Sequence, residues 1–196
     1  MRLFVALEVP HDVRADVTAA VSAVRATSDV APGVRWSDPE RWHLTLAFLG
    51  EVAEPRVDGL VARLGRTAAR HDAPHLEVAG AGRFDGRVLW AAVRESSSAP
   101  GGRLAPLAAS VGGAARHSGI AVEDRPYRAH LTLARCAAPT DLRTLVSALE
   151  SLCSREWTPA DVLLVRSMLG PSPEHVVVAA LPLRTESARP RSGRPA

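Results

Sequence analysis

Apolar positions along the chain fall into short blocks that switch between a two-residue and a three-to-four-residue period, the signatures of strands and helices. Arg2 to Val9 is rich in β-formers and stops at Pro10, which predicts a first strand. Asp12 to Ala26 carries Val13, Val17, Val21 and Val24 near helical spacing, and so predicts an amphipathic helix. Pro32-Gly33 and Asp38-Pro39 are turn signals on either side of a short strand, Val34 to Trp36. A strand from His43 to Leu49, closed by Gly50, leads to a helix over Pro55 to Arg70 with Val57, Leu60, Val61 and Leu64 apolar. Pro74 then precedes a strand from His75 to Phe84.

The second half repeats this order. Arg87 to Val93 reads as a strand, and Ser96 to Gly102 is a polar, Gly- and Pro-containing linker placed as a hinge between halves. A helix over Leu104 to His117 carries Leu104, Leu107, Ala108 and Val111, and Gly119 stops it. Tyr127 to Arg135 is a strand, and Asp141 to Cys153 has helical spacing through Leu142, Leu145, Val146, Leu149 and Leu152. Strands at Val162–Met168 and Val176–Leu183 follow, and Arg184 to Ala196 reads as a disordered tail.

One phrase occurs twice. His43-Leu44-Thr45-Leu46-Ala47 returns as His130-Leu131-Thr132-Leu133-Ala134, 87 positions later. His-x-Thr alone is expected by chance roughly 0.3 times in a chain of this composition, so an identical pentapeptide in each half is a strong signal. Shifted by 87, Val88–Val93 falls on Met1–Ala6, and Val162–Met168 falls on 75–81. The pattern defines an α+β protein with a pseudo-twofold, bilobal fold: two mostly antiparallel sheets line a central cleft, with helices outside. Residues 1–183 form that single unit, its lobes interleaved around the two motif strands.

In an extended strand each phrase puts His and Thr on one face and the leucines on the other. Two such strands side by side present two imidazoles and two hydroxyls to one pocket. An imidazole titrates near neutral pH and serves as proton donor or acceptor, so a pair suits general acid–base chemistry. Symmetry leaves open which histidine is the acid. Thr45 and Thr132 can donate to oxygens that gain charge in a transition state. Arg135, just after the second phrase, is a candidate phosphate clamp, although simple strand alternation puts 135 on the opposite face from 130 and 132; a bulge would remove the objection. Arg128 has the right parity but reads as a solvated strand-edge charge. Phe48 and Trp90 are aromatics that can stack a nucleobase, with burial in the core the commoner role. His71 and His75 are four apart, but Pro74 excludes a regular helix between them, and no metal site is expected. His11, His117 and His175 lack a partner pattern.

Charge changes this picture less than its total suggests. The formal net charge is +3, with 24 cations that are all arginine. The last thirteen residues hold four arginines and one glutamate, leaving twenty arginines against twenty acidic residues in 1–183. The body is therefore not a basic protein, and attraction for phosphate must be local. Cys136 and Cys153 lack metal or redox spacing, with Cys153 on the apolar face of a helix. No signal peptide or membrane span is evident, and a cytoplasmic monomer without cofactor is expected.

MRLFVALEVP, RWHLTLAFLGEV and RPYRAHLTLAR together resemble the bacterial and archaeal RNA 2′,3′-cyclic phosphodiesterases of the 2H phosphoesterase superfamily, formerly called 2′-5′ RNA ligases. The similarity runs through most of residues 1–183. It implies metal-free hydrolysis of the 2′,3′-cyclic phosphate at an RNA 3′ end to a 2′-phosphate, with possible 2′-5′ ligation in reverse. It implies His43 as proton donor, His130 as proton acceptor, and Thr45, Thr132 and Arg135 as substrate-binding groups. Related alternatives are 2′-5′ oligonucleotides or small cyclic nucleotides as substrates; a different class is a non-catalytic RNA-end binding module. Such proteins often carry Gly-x-x-Tyr in the last strand, where this chain reads Gly170-Pro171-Ser172-Pro173-Glu174-His175.

Overall fold

A computed structural model describes residues 1–27, 33–98, 101–123, 125–168 and 174–185. The described elements run β1 (Arg2–Glu8), α1 (His11–Thr27), β2 (Val34–Trp36), β3 (His43–Glu51), α2 (Val57–Ala68), β4 (Leu76–Phe84), β5 (Val88–Glu95), α3 (Leu104–His117), β6 (His130–Cys136), α4 (Arg143–Ala148), β7 (Asp161–Met168) and β8 (Glu174–Pro182). Single 3₁₀ turns at Pro39–Arg41 and Glu54–Arg56 lead into β3 and α2. Two four-stranded sheets result, ordered β3-β1-β7-β8 and β2-β6-β5-β4, and every strand pairing is antiparallel.

The two halves of the chain are exchanged between these sheets. In repeat order β1, β3 and β4 correspond to β5, β6 and β7, yet β7 pairs with β1 and β4 pairs with β5. Each half therefore contributes two strands to each sheet. Motif strand β3 lies beside motif strand β6 where the sheets adjoin. Ala6 faces Thr45 and Trp90 faces Thr132, so the first strands correspond at an offset of 84 (90 − 6), three less than the motif offset.

Burial follows the two periodicities. Val13, Val17, Val21 and Val24 of α1 are buried, as are Leu60 and Leu64 of α2 and Leu104, Leu107, Ala108 and Val111 of α3. They meet Leu44, Leu131 and Leu133 from the inner faces of the motif strands in one core shared by both sheets. A separate small cluster, Phe4, Ala6 and Val165 with Leu163 against it, lies outside that core. The β4–β5 hairpin turns through Asp85 (φ 48°) and Gly86 (φ 62°), the pair of left-handed residues that a tight hairpin requires. A Cβ at 86 would meet the Thr140 carbonyl oxygen at 2.8 Å, so glycine is also sterically required there.

Three expectations need correction. The helix placed over Asp141 to Cys153 is only Arg143–Ala148. Beyond it the backbone joins β4 instead: Gly80 N–H donates to the Leu152 carbonyl at 2.7 Å and Ser154 N–H to the Val78 carbonyl at 3.1 Å. Leu149 and Leu152 are buried all the same, so the apolar spacing reported burial while strand pairing decided the conformation. Cys153 is consequently exposed, outside any helix. The linker after β5 is tied down on both sides of residues 99–100, which lie outside the described residues. The Glu95 carboxylate accepts the N–H groups of Gly102, Arg103 and Leu104 at the start of α3, and the Ser96 and Ser98 hydroxyls donate to Glu156. At the C-terminal end, Arg184 is bound by backbone to His71 and Ala73 and by its side chain to Asp72; residues 186–196 lie outside the described residues.

Because each sheet needs strands from both halves, fragments 1–85 and 86–196 are expected to show no cooperative thermal transition alone and to recover one when mixed. Circular dichroism of the three samples checks this, and a cooperative transition in either fragment by itself would contradict it.

Candidate active site

Both motif strands carry the same irregularity. In β3, Ala6 faces Thr45 while Val5 faces Ala47; in β6, Trp90 faces Thr132 while Leu89 faces Ala134. Leu46 and Leu133 are thus the extra residues of two matched β-bulges, and consecutive residues Leu46-Ala47 and Leu133-Ala134 are buried. After each bulge the alternation resumes one position late. Phe48 and Arg135 are therefore on the same face as the His and Thr of their strands. Alternation had placed 135 on the wrong side, and the bulge reverses that.

The imidazoles are held identically. His43 Nδ1–H donates to the Arg41 carbonyl at 2.8 Å, and His130 Nδ1–H donates to the Arg128 carbonyl at 2.7 Å. A carbonyl only accepts, so the tautomer is fixed: Nδ1 keeps its proton and Nε2 is left to exchange one. The repeated phrase is accordingly longer than its sequence identity alone marks, Arg-x-His-Leu-Thr-Leu-Ala in both halves. Each ring also has an aromatic seat from a neighbouring strand. Phe4 lies 4.6 Å from His43 between ring centres, and Phe84 and Trp90 lie 5.1 and 6.1 Å from His130. Trp90 can occupy that seat because its cross-strand neighbour is Gly82, where a Cβ would fall 2.2 Å from the indole.

Of the two aromatics considered as base platforms, Trp90 is buried in its seat, whereas Phe48 is 55% exposed. Neither the Thr45 nor the Thr132 hydroxyl has a hydrogen-bond partner among the described residues, which leaves both free to donate to a ligand.

Burial is the main influence on both histidines. It pulls His43 down to about 4, against the opposing pull of the Arg41 carbonyl, with the charges of His175, Arg135 and His130 adding to the depression. His130 is lowered by the same cause, with Arg135 and Arg128 adding to it. Arg135 thus acts electrostatically on both imidazoles, as a cation between two facing strands would. At neutral pH both imidazoles are neutral, beside the fixed positive charge of the arginines. A negative charge brought beside them would reverse the balance and favour protonation.

Sequence reasoning missed His175. It opens β8 with its ring 5.1 Å from both Phe4 and His43, edge-on to each. Burial and the Arg41 charge lower its affinity for a proton. The only signal was its place in the stretch where related proteins carry a tyrosine; residues 169–173 of that stretch lie outside the described residues. Among the described residues no three His, Cys, Asp or Glu side chains are grouped to hold a metal ion, and no helix is long and apolar enough to cross a membrane.

The chain belongs to the LigT-like phosphoesterase family, whose model matches residues 7–90 and 96–174. An RNA 2′,3′-cyclic phosphodiesterase of Thermus thermophilus is 34% identical, the match covering 100% of this chain and 96% of that protein. A protein of the same name from Archaeoglobus fulgidus is 32% identical over 87% of this chain and 93% of its own length. The crystal structure of TT0787 of Thermus thermophilus superposes with a TM-score of 0.74 at 29% identity, over 95% of this chain and 100% of that one. Escherichia coli LigT in complex with 3′-AMP shares the fold, with a TM-score of 0.72 at 24% identity over 93% and 97% of the two chains.

Burial of a neutral His43 also has a consequence for stability. Between pH 6.5 and about 4 the unfolded chain binds a proton at this site and the folded chain does not. Stability is therefore undiminished above pH 6.5 and falls as the pH drops, by up to about 3 kcal/mol from this group. Urea unfolding of wild type and His43→Gln at pH 7 and pH 5 checks it: the variant is expected to lose less stability on acidification, and equal losses would contradict the assignment.

Proposed function

We propose that this protein hydrolyses the 2′,3′-cyclic phosphate at RNA 3′ ends to a 2′-phosphate, with His43 and His130 as general acid and base. The observation that carries this reading is the matched pair of imidazoles, each fixed by a backbone carbonyl with Nε2 free. Pure binding does not need two proton-exchanging groups with fixed tautomers on facing strands. The names of relatives at 32% and 34% identity support the choice of substrate.

In the reaction, a water oxygen attacks phosphorus while His130 Nε2 takes its proton, and the bond to O3′ breaks as His43 Nε2–H delivers a proton to the leaving oxygen. One proton passes from water to His130 and one from His43 to O3′ while the hydroxide oxygen replaces O3′ on phosphorus, so His130 ends protonated and His43 neutral until solvent resets them. This assignment of acid and base follows the family resemblance. For His43 to act as the acid it must be charged, which a bound phosphate favours by placing an anion beside the imidazole. Thr45 and Thr132 donate to the non-bridging oxygens, and Arg135 neutralises the charge that grows there. Phe48 stands where Arg135 stands in the other motif, five residues after its histidine, and is exposed on the cleft face. It offers a stacking platform for the terminal base, opposite the arginine that takes the phosphate. Run in reverse, the same groups join a cyclic phosphate to a 5′-hydroxyl.

The test is turnover of a short RNA ending in a 2′,3′-cyclic phosphate, in EDTA, with ³¹P NMR of the product. Wild type is expected to release a 2′-phosphate, and His43→Ala and His130→Ala to be slower by about 10²-fold or more. Loss of activity on chelation would overturn the two-histidine mechanism. Tight binding of the RNA without turnover would favour an RNA-end binding module.

A further inference from the structure

Arg41 and Arg128 occupy matching places, two residues before the two histidines, and each lends its carbonyl to an imidazole. Their side chains differ. The Arg41 guanidinium lies 3.7 Å from the Asp38 carboxylate. Arg128 pairs with no carboxylate among the described residues, and is instead stacked, its guanidinium carbon 5.8 Å from the centre of Phe84 and 5.7 Å from that of Trp90. These are the same rings that seat His130. Some other exposed arginines find carboxylates, as Arg94 does with Glu77, Arg143 with Asp141 and Arg155 with Asp16.

A guanidinium held over aromatic rings still has N–H groups to offer an anion. A cation held against two rings, with no carboxylate partner among the described residues, on the face of the proposed general base has the chemistry of half a phosphate site. It is not needed for the cyclic phosphate, which the proposed reaction assigns to the two histidines, the threonines and Arg135. Arg128 lies two residues before His130, just ahead of β6, a backbone step of about 7 Å in an extended chain. That step is of the order of one nucleotide.

Taking the phosphodiesterase reading as its basis, we propose that Arg128 binds the phosphodiester immediately upstream of the terminal nucleoside, so that the substrate class is an oligonucleotide end and not a cyclic mononucleotide. The pseudo-twofold cleft thereby acquires a direction. RNA enters along the Arg128 side, because the matching arginine on the other side already has a carboxylate neighbour in Asp38.

The experiment compares adenosine 2′,3′-cyclic monophosphate with a trinucleotide ending in the same group, for wild type, Arg128→Ala and Arg128→Lys. Wild type is expected to favour the trinucleotide in kcat/KM by about ten-fold, a ratio that Arg128→Ala brings close to one. Arg128→Lys is expected to retain part of the ratio through its charge. The salt dependence of trinucleotide turnover should become shallower in Arg128→Ala by roughly 0.7 in log–log slope. A merely structural role, seating Trp90 and His130, would lower both substrates together and leave the ratio unchanged; that result overturns the proposal, as does a wild-type ratio near one. If wild type turns over neither substrate, the phosphodiesterase reading itself fails and this proposal falls with it.

Discussion

Neither half of this chain can complete a sheet. The strand that finishes each three-stranded repeat unit belongs to the other half: β7 pairs beside β1, and β4 beside β5. Backbone hydrogen-bonding groups left at an open edge are costly to bury, so the halves must fold against each other. That exchange brings β3 beside β6, and with them two copies of one phrase. The approach of two equivalent histidines, 43 and 130, is thus a consequence of strand pairing between the two halves.

Within that frame, symmetry supplies what the two sides share and its breaking supplies direction. Both lobes hold an imidazole by Nδ1, place a threonine two residues on and insert a bulge after it. They differ at the residue the bulge turns into the cleft, Phe48 on one side and Arg135 on the other, and in the arginine before each histidine. They differ also in the ring beside the imidazole: the β8 strand adds His175 next to His43, while Arg128 overlies the rings beside His130. A cyclic phosphate with one base and one upstream strand is itself directional, and a strictly twofold site would bind it in two ways.

The elements with a complete local pattern were legible in the sequence. α3 ends where its apolar spacing and Gly119 say it should, and the motif strands bury Leu44 and Leu131 as strict alternation requires. What alternation could not supply was the bulge. Leu46-Ala47 and Leu133-Ala134 are apolar pairs that break period two, and that small irregularity was the only trace of the shift that turns Arg135 into the cleft. The end of α4 and the surroundings of Cys153 and His175 were hidden for another reason, since pairing with β4 and the position of β8 depend on residues far away in sequence. The seat of Trp90 is of the same kind, because Gly82 reads as an ordinary strand glycine until the indole is laid across it.

The most direct test of the central claim is ¹⁵N NMR of the two imidazoles, titrated with pH in the free protein and with a nucleoside 2′-phosphate bound. The account predicts that His43 and His130 both carry their proton on Nδ1 when neutral, and that one bound nucleotide raises the proton affinity of both together. A proton on Nε2 in either neutral ring, or a nucleotide that shifts only one of the two, would contradict a site in which both histidines act on the same phosphate.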